Sequence, residues 1–136
     1  MTVLDAGVLI GFLDASDAYH DAAKEALTTA RDRGDRLVVP ASAFAESLVG
    51  PSRRGSKAVK EVREFVRRLP IEVVALDESI ALVAASLRAC HGGRLKLPDA
   101  LVVATAQALD AETLVTPDRD WPPRSKLGLT ARLVQL

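Results

Sequence analysis

Short apolar runs alternate along this chain with longer stretches in which apolar positions recur every three or four residues. That alternation predicts strands of period two between helices of period 3.6. Thr2 to Leu4 reads as a strand that leads through Asp5 into a helix over Ala6 to Leu13. Ser16 or Asp17 can start the next helix, which keeps Ala22, Ala23, Ala26, Leu27 and Ala30 on one side and runs to about Arg33, where Gly34 stops it. Leu37 to Val39 makes a second strand ended by Pro40, followed by a helix that Ser42 could cap. Gly50, Pro51, Ser52 and Gly55 mark a loop. From Lys57 to Leu69 an amphipathic helix carries Ala58, Val62, Phe65, Val66 and Leu69 on its apolar face. Ile71 to Ala75 is a third strand, and Asp77 can cap a helix whose buried side is Ile80, Val83, Ala84, Leu87 and Cys90, with Gly92 and Gly93 at its end.

The stretch from Leu97 to Trp121 organises the rest. Pro98 suits the first turn of a helix, where its missing N–H has no partner to lose, and Leu101, Val102, Val103, Ala104, Ala106, Ala108 and Leu109 make that helix apolar nearly all round. Such a helix is buried. Asp110 and Ala111 turn the chain into a strand over Glu112 to Val115, which Pro117 ends, and Leu133 to Leu136 can add a last edge strand. Strands and helices in this order specify an α/β fold, a three-layer α/β/α sandwich around a short parallel sheet.

Composition agrees. Hydrophobic residues make up 49% of the 136 positions and aromatics only 4%, so the core is built from aliphatic side chains, as in a parallel sheet covered on both faces. The length suits one domain over residues 1–136, with no room for a second. One cysteine, Cys90, cannot form an internal disulfide, and no apolar run is long enough to span a membrane, so a cytoplasmic location is expected. His20 has no acidic or histidine partner at a metal-binding spacing and reads as structural.

Net charge is zero, but it is unevenly spread. Residues 51–68 hold seven basic side chains (Arg53, Arg54, Lys57, Lys60, Arg63, Arg67, Arg68) against Glu61 and Glu64, a net +5 that leaves −5 elsewhere. Pairs such as Lys57/Glu61 and Lys60/Glu64 could neutralise part of this on a solvated helix face. The remaining arginines make the segment a candidate for phosphate contacts.

In a doubly wound sheet, Asp5, Glu46, Asp99 and Asp118 all fall just after a strand or at the start of the following helix, the edge where such folds bind ligands. Asp120 is a fifth candidate. Taken singly, Asp5 could be a helix cap, and Glu46 forms no capping box with Ser42. As a converging set they need a counter-charge, because carboxylates about 4 Å apart repel by roughly 4 kcal/mol at an effective dielectric of 20. With so few His and Cys, the donor set suits a hard divalent cation, Mg²⁺ or Mn²⁺, and points to phosphodiester hydrolysis.

The segments VLDAGVLI, ASAFAESL, LPDALVVATA and LVTPDRDW resemble, in order and spacing, the four acidic motifs of PIN-domain ribonucleases, in particular the VapC toxins of bacterial toxin–antitoxin pairs. The resemblance covers essentially the whole chain. It implies an Mg²⁺- or Mn²⁺-dependent endoribonuclease in which Asp5, Glu46, Asp99 and Asp118 are the catalytic, metal-binding quartet, with Thr116 and Asp120 as auxiliaries. Arg53, Arg54 and Lys57 are the candidate RNA-binding residues. The resemblance further implies an RNA substrate, a cognate antitoxin protein and a homodimer. One departure is Gly7, where the family usually has Ser, Thr or Asn, so a supporting hydroxyl is missing. Two other readings are a catalytically inactive PIN-like domain that binds protein, and a receiver-like phospho-signalling module. The receiver needs a lysine after its fifth strand, which this sequence does not supply.

Overall fold

The computed structural model describes residues 1–136. Five strands form one wholly parallel sheet: β1 (Thr2–Leu4), β2 (Leu37–Pro40), β3 (Glu72–Val74), β4 (Thr113–Thr116) and β5 (Arg132–Gln135), in the order β3-β2-β1-β4-β5. Thr2 stands opposite Leu37 on one side and Thr113 on the other. Six helices complete the fold: α1 (Ala6–Leu13), α2 (His20–Asp32), α3 (Ala41–Arg54), α4 (Ser56–Arg68), α5 (Glu78–His91) and α6 (Leu97–Ala108), with a 3₁₀ turn at Gly92–Arg94.

The strand order explains the layers. The chain steps outward from β1 to β2 to β3, then returns through α5 and α6 to β4 on the other side of β1. Right-handed crossovers in opposite directions put their helices on opposite faces, which is the expected sandwich. The three central strands are buried at every position, whereas β3 and β5, at the edges, are partly exposed. Only the β4-to-β5 connection, residues 117–131, lacks a helix.

Several boundaries differ from expectation, each for a local reason. The second helix begins at His20 because Asp14 and Asp17 accept hydrogen bonds from the N–H groups of Ser16 (2.9 Å) and Tyr19 (2.8 Å), holding the preceding residues in turns. Ser42 does not cap α3. Strand β2 runs directly into the helix with Pro40 at the cap position, so Ser42 falls in the first turn and its Oγ is buried without a partner. The expected loop at 50–55 is helical to Arg54. Gly50 has no Cβ to clash with the Pro51 ring, and the helix ends only at Gly55, whose φ is 119°.

Cys90 is exposed, because the stripe formed by Ile80, Ala84 and Leu87 continues through His91 and leaves residue 90 about a quarter-turn away. The Lys57/Glu61 and Lys60/Glu64 pairs are not formed. The ion pairs present are Met1–Glu112, Arg33–Asp35 and Arg36–Glu72, so the cations of α4 stay free. Asp77 caps α5 as expected, accepting from Ile80 N–H at 2.9 Å. His20 is structural, its Nδ1 2.9 Å from the Gly11 carbonyl and its ring against Phe12. No helix is long and apolar enough to cross a membrane.

A candidate acidic site at the carboxyl edge of the sheet

Asp5 is the first residue after β1 and the N-cap of α1. Its Oδ1 accepts the Ala6 N–H at 2.7 Å, and its Oδ2 accepts the Thr116 hydroxyl, also at 2.7 Å. Asp5 is therefore a cap and a site residue at once. What separates it from an ordinary cap is burial: only 7% of it is exposed. Burial raises its pKa against the pull of those two hydrogen bonds, and the charges of Glu46 and Asp118 raise it further.

Asp99 lies in the first turn of α6, fixed there by Pro98. Half-buried, it has its pKa pushed up to about 6, first by loss of solvent and then by the charges of Asp5, Asp118 and Glu46. Its carboxylate makes no hydrogen bond of full geometry. Glu46, on α3, is exposed and lines a groove of about 780 Å³ together with Ile10, Leu13, Asp14, Arg54 and Glu61.

Asp118 follows β4 in a loop tied down on all sides. Its N–H donates to Thr116 Oγ1 (3.1 Å), its Oδ1 accepts the Asp120 N–H (2.7 Å), and its carbonyl accepts Gln135 Nε2 (3.0 Å). Arg119 forks onto the Leu136 carbonyl at 2.9 and 2.7 Å. Thr116 thus links two acids, receiving from the backbone of Asp118 and donating to the carboxylate of Asp5. The Asp120 side chain is exposed, and its charge is not among those that act on Asp5 or Asp99; it serves the site through its backbone N–H.

The charges of Glu46 and Asp118 therefore reach both Asp5 and Asp99, and no basic side chain ranks among the charges perturbing those two. The four acids do not form a closed cage, since no three acidic, His or Cys side chains stand close enough together to hold an ion as placed. Coulomb coupling reaches across several ångströms, whereas ligation requires contact at about 2.0–2.6 Å. Carboxylates with nothing positive between them are expected to stand apart. The donor chemistry fits a hard divalent cation: four carboxylates, without histidine or cysteine.

The expected RNA-binding residues flank the junction of α3 and α4. Arg53 and Arg54 sit in the last turn of α3 and Lys57 in the first turn of α4. Arg54 faces the groove that holds Glu46, where its charge helps hold the pKa of Asp14 down after the larger effect of hydrogen bonds from Ser16. A separate cavity of about 570 Å³ is lined by Lys60, Arg63 and Arg67 together with Glu64, Ser52, Gly55 and Ser56. The spacing 60, 63, 67 is one helical stripe and could have been read from the sequence.

Two further features were not singled out from the sequence. A Cβ on Gly7 would meet the ring of Pro117, so the missing hydroxyl at position 7 and the proline in the fourth acidic segment belong together. Trp121 is buried, and its indole N–H has no hydrogen-bond partner.

Comparison with known proteins fits this geometry. The sequence profile of the family described as PIN domain matches residues 2–126. No curated protein matches the chain by sequence. Among solved structures, a toxin–antitoxin complex from Klebsiella pneumoniae is similar, with 22% identity over 88% of this chain and 89% of the other at a TM-score of 0.64. VapBC2 from Rickettsia felis, bound to a DNA fragment from its promoter, aligns over 97% of both chains at 16% identity and a TM-score of 0.73. The sarcin–ricin loop cleaving toxin VapC20 of Mycobacterium tuberculosis aligns over 84% of this chain and 87% of its own at 16% identity and a TM-score of 0.67.

Proposed function

The chain belongs to the PIN domain family, and from that premise we propose that residues 1–136 form a single nuclease domain that hydrolyses RNA phosphodiester bonds with Mg²⁺ or Mn²⁺, as the toxin of a toxin–antitoxin pair. Nucleases of this family generally use divalent metals. The observation that carries the reading is the pair of buried or half-buried carboxylates, Asp5 and Asp99, each with its pKa raised first by burial and then by neighbouring negative charges, with no positive charge among those acting on it. A fold that maintains such repulsion at the ligand-binding edge of its sheet is built to receive a cation there.

Asp5, Glu46, Asp99 and Asp118 would hold the cation, which supplies charge neutralisation at the phosphate and activation of water. The chain's own residues do the rest. Thr116 fixes the rotamer of Asp5, and the Asp118 N–H holds the Thr116 oxygen in turn. Asp99 must be ionised to serve as a ligand, and with its pKa at about 6 most of it is ionised at neutral pH. Lys60, Arg63 and Arg67, unpaired with any acid, extend the originally expected Arg53, Arg54 and Lys57 into a surface for RNA phosphates.

The toxin reading carries a cognate antitoxin with it, in keeping with the toxin–antitoxin assemblies among the similar structures, and a homodimer that rests on the family resemblance alone. Two experiments test it. Purified protein incubated with pooled cellular RNA should cleave with Mg²⁺ and not with EDTA, and Asp5→Asn and Asp99→Asn should lose cleavage while melting cooperatively. Expression of the chain alone should slow growth, with rescue by a neighbouring reading frame. Failure of the second experiment alone would remove the toxin assignment and leave the nuclease. The inactive-domain reading is favoured by Gly7, and it predicts no cleavage with any cation.

A further inference from the structure

Trp121 is the only tryptophan in the chain, and just 4% of it is exposed. Its ring belongs to the hydrophobic core, yet its Nε1–H is buried with no hydrogen-bond partner. A buried N–H left unpaired costs roughly 1–3 kcal/mol, and buried tryptophans ordinarily find an acceptor. The ring of a phenylalanine would fill the core without that cost. The polar group facing this N–H is the Asp99 carboxylate, whose raised pKa the indole partly opposes. Asp99 makes no hydrogen bond of full geometry, so donor and acceptor stand side by side with the bond between them incompletely formed.

The ring is the fixed member of this pair. It sits on the loop held by the hydrogen bonds of Asp118, Arg119 and Gln135, whereas the Asp99 side chain is half-exposed. We propose that Trp121 is the positioning residue for Asp99: its indole N–H takes the carboxylate when that carboxylate turns to ligate a divalent cation, so that closing this bond and binding the cation are coupled. The proposal rests on the cation-dependent reading above. It also accounts for how the site manages without a hydroxyl at position 7. Pro117 has taken that space, and the same loop, four residues on, supplies a donor to another acid of the set.

Because the indole is unique, it gives one Nε1–H resonance in a ¹⁵N-correlated NMR spectrum of the intact protein. Titration with Mg²⁺ alone should move that proton downfield and slow its exchange with water, with the same midpoint that calorimetry gives for Mg²⁺ binding. Trp121→Phe, which keeps a packed ring and removes the donor, should bind Mg²⁺ about tenfold more weakly, as loss of an outer-sphere partner usually does. Its melting temperature in EDTA should equal or exceed that of wild type. An indole proton that stays in place at calorimetric saturation overturns the proposal and leaves the cation reading intact, as does a folded Trp121→Phe that binds like wild type. A wild-type protein that binds no Mg²⁺ overturns both. Should Trp121→Phe fail to fold, the wild-type resonance decides alone.

Discussion

A Cβ built on Gly7 would overlap Cγ of Pro117 and lie 3.0 Å from its Cδ. The loop after β4 therefore packs directly on the first turn of α1, and the identities of residues 7 and 117 are one steric decision. Gly7 is small here because Pro117 is in the way.

Restoring the hydroxyl is consequently expected to fail by itself. Serine is favoured over glycine in a helix by a few tenths of a kcal/mol, but the clash should cost about 1–3 kcal/mol, and overpacking wins. Gly7→Ser should melt below wild type, and adding Pro117→Ala should recover most of the loss. Melts of the two single variants and the double variant check this through their non-additivity; Gly7→Ser melting at or above wild type would refute it.

Thr116 should matter through its oxygen. Thr116→Val keeps the shape but removes both the donor to Asp5 and the acceptor for the Asp118 N–H, at an expected cost of about 1–3 kcal/mol. The pKa of Asp5 should rise further, since the hydrogen bond that opposes burial is gone. Thr116→Ser should behave as wild type in chemical denaturation. Equal stability of all three proteins would mean that the linkage contributes nothing.

Asp99 makes a signed prediction about pH. A carboxyl whose folded pKa is raised binds its proton more tightly in the folded state, so the stability it contributes is present below about pH 4 and is lost as pH rises through about 6. Without metal, wild type should lose of order 1 kcal/mol across that window, a figure already reduced for solvent screening around a half-exposed group. Asp99→Asn should show a flatter profile and a higher melting temperature at pH 7 in EDTA. Millimolar Mg²⁺ should then stabilise wild type more than the variant. A variant that melts lower than wild type in EDTA would return Asp99 to the role of a favourable charge at a helix N-terminus.

RNA binding should draw on the stripe of α4. Removing two phosphate contacts by Arg63→Gln with Arg67→Gln should flatten the slope of log K against log salt by about 0.7 per contact on single-stranded RNA. The same change at Arg53 and Arg54 should flatten it less, since Arg54 faces Asp14 and Glu46. Filter binding across a salt series distinguishes them, and the reverse ranking would restore Arg53 and Arg54 as the main contacts.

The fold was legible in the sequence wherever periodicity and burial agreed. The strand at Thr2–Leu4, the strand that starts at Leu37, the helix with Pro98 in its first turn and the cap at Asp77 all lie where the pattern puts them. It was illegible where a side chain acts on a neighbour's backbone, as Asp14 and Asp17 do, or where a strand meets a helix with no joint between them, as at Pro40–Ala41. The four acids could be placed at one edge because each is the first polar residue after a strand or in the opening turns of a helix. The buried, unpaired indole of Trp121 and the contact between Gly7 and Pro117 depend on how one loop packs, which neither spacing nor composition encodes.

Strand β1 lies at the centre of the sheet, and its acid is completed by a hydroxyl 111 residues further along the chain. No fragment made early in synthesis can therefore contain the site. At translation rates of about 5–20 residues per second, some 6–20 s separate the appearance of Asp5 from that of Thr116, and the latter must clear the ribosome before the two can meet. For a protein proposed to cut RNA, the topology acts as a timer: no nascent chain that stops short of Asp118 holds the full set of acids.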